Sequence, residues 1–122
     1  MPLTLPPHAI THAPATEEAL ATLHTLLGPH TIHLLPLYQL TDGLETTLRN
    51  GTLHLQLFPI GGFSNSHRQH HLIIGTDTHS ADLLIDTAQD PATVDLWCGF
   101  GGGMIQRLCP LPGFLAWLLP SP

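Results

Sequence analysis

The densest run of side chains able to do chemistry is His67-Arg68-Gln69-His70-His71, with His79 one hairpin later. Imidazoles at such spacing can share a zinc, nickel or copper ion. A metal centre also needs a rigid scaffold and acceptors behind each ligand. This stretch follows Gly61-Gly62, is polar and has neither the helical nor the strand period. It therefore reads as a loop that contacts a partner, with no metal and no cofactor expected. The aspartates Asp77, Asp82, Asp86, Asp90 and Asp95 could form a carboxylate cluster for acid/base work or calcium. Their spacing fits no EF-hand loop, and strand alternation would scatter them over both faces, so most are expected to form turns.

The run Gly99-Phe100-Gly101-Gly102-Gly103-Met104 resembles a phosphate loop only in its glycines. Met104 stands where a dinucleotide fingerprint needs Gly or Ala, and no Lys-Ser/Thr follows as in a Walker loop. No G-x-S-x-G elbow occurs, and Cys98 has no activating base nearby in sequence. No catalytic residue is assigned, and the chain is not expected to be an enzyme.

The elements that must carry these residues belong to a chain of 122 residues, the size of one compact domain. Three Arg and no Lys against nine Asp and Glu give a net charge of −6, which argues against nucleic acid as the main partner. Charged residues are 10% and hydrophobic residues 43%, so the chain can fill a core. No apolar run approaches a bilayer span, and the start lacks a basic, apolar leader; a soluble, cytoplasmic protein without membrane contact is expected. Cys98 and Cys109 suffice for neither a disulfide framework nor a four-cysteine zinc site, and buried reduced thiols are the expected state. Protonating all ten histidines would carry the net charge from −6 to +4, centred near an imidazole pKa of about 6.5.

Residues 1–15 hold Pro2, Pro6, Pro7 and Pro14 and read as an extended lead-in, with the domain proper over 16–119. Thr16 can cap a helix with Glu17 and Glu18 in its first turn, Leu20, Leu23 and Leu27 on one face, and Gly28 as its stop. A second helical segment is predicted from about Pro29 to Leu40 with Ile32, Leu35 and Tyr38 inward, kinked at Pro36 and broken by Thr41-Asp42-Gly43. From Leu53 the alternation of Leu53, Leu55 and Leu57 against His54, Gln56 and Phe58 predicts a strand ended by Pro59. Leu72-Ile73-Ile74, Leu83-Leu84-Ile85 and Val94 to Trp97 are short strand-like runs joined by turn residues, an antiparallel meander. Gly99 to Gly103 is a turn, and Phe114, Leu115, Trp117 and Leu118 make a short closing helix. The class is α+β: one domain with a mostly antiparallel sheet of about four to six strands packed against N-terminal helices and a short C-terminal helix.

Leu37-Tyr38-Gln39-Leu40-Thr41-Asp42-Gly43, Leu57-Phe58-Pro59-Ile60, Ile74-Gly75-Thr76-Asp77 and Ala81-Asp82-Leu83-Leu84-Ile85-Asp86-Thr87 follow one another in the order and spacing of a known family. With Pro91, Val94, Trp97 and Phe114-Leu115 they cover 16–119. In these words the chain resembles the SUKH superfamily, which groups yeast cell-wall regulators with many bacterial immunity proteins. Ser80-Ala81 stands where the family often has a glycine, and Pro36 interrupts the second helix. The resemblance implies a non-catalytic protein-binding module of a polymorphic toxin system, an immunity protein that neutralises a cognate, often nuclease, toxin. It also implies that Asp86 accepts backbone amides at a strand end.

An acidic chain of net charge −6 without lysine suits a basic partner, since complementary charge raises the rate of encounter. The candidate partner-binding residues are His67, Arg68, His70, His71, Asp77 and His79, chosen for their clustering on loops around the sheet. Two other classes are compatible with the same residues: a regulatory or scaffold domain of the same fold that binds a cellular protein, and a His-rich metal-binding protein.

Overall fold

The computed structural model describes residues 5–47, 54–65, 70–77, 81–98 and 104–119. Their elements run β1 (Ile10–Thr11), α1 (Glu17–Leu27), α2 (Leu35–Tyr38), β2 (Leu44–Thr47), β3 (His54–Leu57), β4 (Ser64–Asn65), β5 (His71–Asp77), β6 (Asp82–Asp86), β7 (Thr93–Cys98), β8 (Met104–Pro110) and α3 (Phe114–Leu118). The sheet has the order β1-β2-β3-β5-β6-β7-β8 with every pairing antiparallel, and β4 pairs with β5 beside β3. The class is α+β with a larger sheet than the sequence implied, eight strands instead of four to six.

α1 forms as its residues dictate. The Thr16 hydroxyl accepts the Ala19 amide at 3.1 Å, satisfying an orphan donor worth about 1 kcal/mol, and Glu17 and Glu18 occupy the positive end of the dipole. Gly28 closes the helix at φ 55°, a left-handed conformation that a side chain would strain. Leu23 and Leu27 are buried, each contributing roughly 1.5–3 kcal/mol by leaving water.

The second segment departs from the expected helix. Gly28–His33 is a 3₁₀ turn and α2 begins afresh at Leu35, with Pro36 in its first turn where its missing amide costs nothing. The change of period from 3.6 to 3 re-aims the side chains. Ile32, expected inward, is 66% exposed, while Leu34, Leu37 and Tyr38 enter the core. Tyr38 is held by a 2.7 Å bond from its hydroxyl to the Phe58 carbonyl and an edge-on contact with Phe63.

Strands β5, β6 and β7 match the three apolar runs. Their odd and even positions divide between the sheet's two faces: Leu72, Ile74, Leu83, Ile85, Val94 and Leu96 join one core with Leu23, Leu37, Leu55, Leu57 and Phe114. Gly75 is required by close approach, because a Cβ there would collide with the Gln56 carbonyl oxygen of β3. Four strands are additional to the expected ones, among them β4 (Ser64–Asn65) in the stretch 61–71 read as a loop. β2 and β8 lie in segments where no strand was predicted, and the lead-in carries β1, paired through Ile10 and Glu45. The lead-in is tied down further by the bonds Ala15 N–H to Tyr38 O and Asp42 N–H to Ala13 O.

Candidate functional site

His71 opens β5, Asp86 ends β6, and Asp95 lies in the middle of β7. Register brings them together: His71 faces Asp86 across β5–β6, and Asp86 faces Thr93 across β6–β7, which places Asp95 one pleat along on the same face. Arg107 of β8 is the cross-strand partner of Asp95. Its Nε lies 3.3 Å from Asp95 Oδ1 and its Nη2 3.9 Å from Asp86 Oδ2, so the side chain reaches across two strands. His71 Nε2 lies 3.5 Å from Asp86 Oδ2.

The cluster sits on the face turned away from the helices. Asp95 is fully buried and Asp86 nearly so, while the His71 side chain is 11% and the Arg107 side chain 52% exposed. Asp86 Oδ1 accepts the Ala88 amide at 3.0 Å, and Gln89 Nε2 approaches Oδ2 at 3.3 Å. Asp86 thus has the strand-end role that the resemblance implies. Asp95 does not form a turn, and the scattering of the aspartates over both faces fails for this pair because 86 and 95 differ by a register that only the fold sets. Asp95 Oδ2 and Thr93 Oγ1 are buried without hydrogen-bond partners.

Of the residues proposed for partner binding, His67, Arg68 and His79 lie outside the described residues. His70 is exposed at φ 65° just before β5, and its carbonyl accepts both the Thr87 amide and hydroxyl. His71 turns into the cluster described above instead of standing on a loop. Asp77 ends β5, and its Oδ1 accepts the Ala81 amide at 2.9 Å. His71 and Asp77 are therefore at opposite ends of one strand, about 20 Å apart at strand rise.

A second polar chain crosses the β2–β3 hairpin, Thr47 Oγ1 to His54 Nδ1 and His54 Nε2 to Glu45 Oε1, both 2.9 Å. A hydroxyl, an imidazole and a carboxylate in line are the parts of a nucleophilic triad. Here they are cross-strand neighbours on a face about one-third exposed, the usual polar pairing of a hairpin. A shallow groove of about 200 Å³ between α1 and the turn at Ile60 is lined by Thr16, Glu18, Ala19, Thr22, Ile60 and Gly61 and brings no histidine or cysteine to a carboxylate.

Cys98 and Cys109 are half-buried thiols, less enclosed than their sequence implied. Burial and the neighbouring Asp95 push the Cys109 thiol up to about 11, away from the thiolate a nucleophile needs. Among the described residues no helix is long and apolar enough to cross a membrane. Comparison of the chain with protein families, with curated proteins and with solved structures gives no match.

Proposed function

We propose that this chain is a non-catalytic protein-binding module, and specifically a SUKH-like bacterial immunity protein that neutralises a toxin with a basic surface, such as a nuclease. The observation that carries the reading is the distribution of charge. Arg107, the one cation among the described Lys and Arg positions, is engaged by two buried carboxylates. Glu17, Glu18 and Asp90 meanwhile stand exposed on a chain of net charge −6. Such a surface steers a basic protein toward it and disfavours an anionic one. The words that carry the resemblance also fall at turning points of the backbone: Asp42-Gly43 is the bend into β2, with Asp42 Oδ1 accepting the Ile60 amide, and Asp86 closes β6.

The test is co-expression with the protein encoded beside it, scoring growth and co-purification together. Growth rescue with a stable complex is the expected result; toxicity that persists despite soluble co-expression overturns it. His67, Arg68, His70, Asp77 and His79 remain the interface candidates, with His71 set aside because its ring faces Asp86. Complex affinity is expected to fall between pH 8 and pH 6, a range that brackets the free imidazole pKa of about 6.5, as protonated histidines add positive charge against a basic partner.

A further inference from the structure

We propose that His71, Asp86 and Asp95 bind a divalent transition-metal ion, with zinc as the best fit. The inference is independent of the partner-binding reading. One ligand atom from each of the three residues lies within 4.8 Å of the other two, from three adjacent strands of one sheet, which is a rigid frame. The 3.5 Å between His71 Nε2 and Asp86 Oδ2 is long for a hydrogen bond. Two ligands about 2.1 Å from one tetrahedral ion stand about 3.4 Å apart, so the same spacing suits a shared metal.

The second observation is Asp95 itself. Its Oδ1 is taken by Arg107, but Oδ2 is fully buried and has no hydrogen-bond partner. A carboxylate oxygen left so inside a protein is costly unless a cation meets it. Asp86 is held more fully: Oδ1 accepts the Ala88 amide, while Oδ2 faces His71 and also accepts from Gln89 Nε2 at 3.3 Å. In each carboxylate the protein fixes at least one oxygen, the way outer groups orient metal ligands, and Asp95 keeps its Oδ2 without a donor. With Arg107 against both carboxylates the cluster keeps a net negative charge for a cation to offset, and the imidazole selects zinc or a neighbour over magnesium or calcium.

The test titrates zinc chloride into untagged, chelator-treated protein by calorimetry at pH 7.5, with cobalt absorption as a spectroscopic check. One ion per chain is expected, with a rise in Tm at saturating zinc. Binding should weaken at least tenfold in Asp95→Asn and in His71→Gln and stay unchanged in the exposed-surface control His8→Gln/His24→Gln. Should Asp95→Asn fail to fold, His71→Gln at the edge of the cluster decides alone. Absence of stoichiometric binding overturns the proposal. So does binding that survives His71→Gln but falls in the surface control, which would assign the zinc to histidines elsewhere.

Discussion

On the helix-covered face of the sheet the buried positions of β6 and β7 are Leu83, Ile85, Val94 and Leu96, whereas on the opposite face of the same strands they are Leu84, Asp86, Thr93 and Asp95. The first face gains by area alone, and one aliphatic side chain there can stand in for another if volume is kept. On the second, each carboxylate must find a particular donor, and the loss of one leaves the other exposed to a low-dielectric interior. One strand thus carries two kinds of burial with opposite tolerances.

The comparison is broken most directly at Leu83 and Leu84, chain neighbours that are both fully buried and face opposite ways. Leu83→Ala should cost about 4 kcal/mol in chemical denaturation and Leu84→Ala about 2 kcal/mol, because a gap among polar groups can admit water and one among hydrocarbons cannot. Equal costs would make the second face an apolar core in its own right. Next comes Arg107→Leu, expected to cost about 1–2 kcal/mol, a value discounted for the half-exposed guanidinium; Asp95→Asn on top should restore most of it in a double-mutant cycle.

Tyr38→Phe, a polar group on the apolar side, should cost about 1 kcal/mol by leaving the Phe58 carbonyl without its donor. Burial first, and Asp42 second, hold the Tyr38 hydroxyl protonated far above its ordinary range, so this loss should not vary between pH 5 and about pH 9. The smallest effect concerns Cys109. Its thiol is raised to about 11 in the fold from an ordinary 9.0, first by burial and then by Asp95. The unfolded chain therefore releases this proton first, and stability should decline as pH rises from about 9 to about 11. Cys109→Ser should flatten part of that decline in thermal melts across the same range.

What was legible in the sequence follows from which signals are local. Thr16, Glu17, Glu18 and Gly28 mark both ends of α1 within one turn of chain, and the Leu/Ile triplets of β5, β6 and β7 announce strands whose neighbours bury them. β2 (Leu44–Thr47) mixes Glu45 and two threonines with a single leucine, and β8 is an edge strand with Gln106 and Arg107 exposed, so neither shows an apolar pattern. Ile32 misled because proline and glycine at its start turned a helical period into a tighter one. For the site, His71 was picked out by type but assigned to a loop, and Asp86 and Asp95 were visible as residues but not as a pair. Their proximity depends on the register Asp86↔Thr93 and on Arg107 reaching from β8, neither of which has a local signature.

The order of the strands has a consequence for how the chain reaches this state. From β4 to β8 each strand pairs with the next one in sequence, so this part of the sheet can assemble by zipping short hairpins, each closing on a microsecond scale. The longest closure is that of β1: its partner β2 is the next strand in sequence, but Ile10 meets Glu45 across about 35 intervening residues that include α1 and α2. A two-residue strand repays little of the entropy of closing so long a loop. β1 should therefore dock last, after the hairpins have formed, and its amides should be among the first of the sheet to exchange with deuterated solvent.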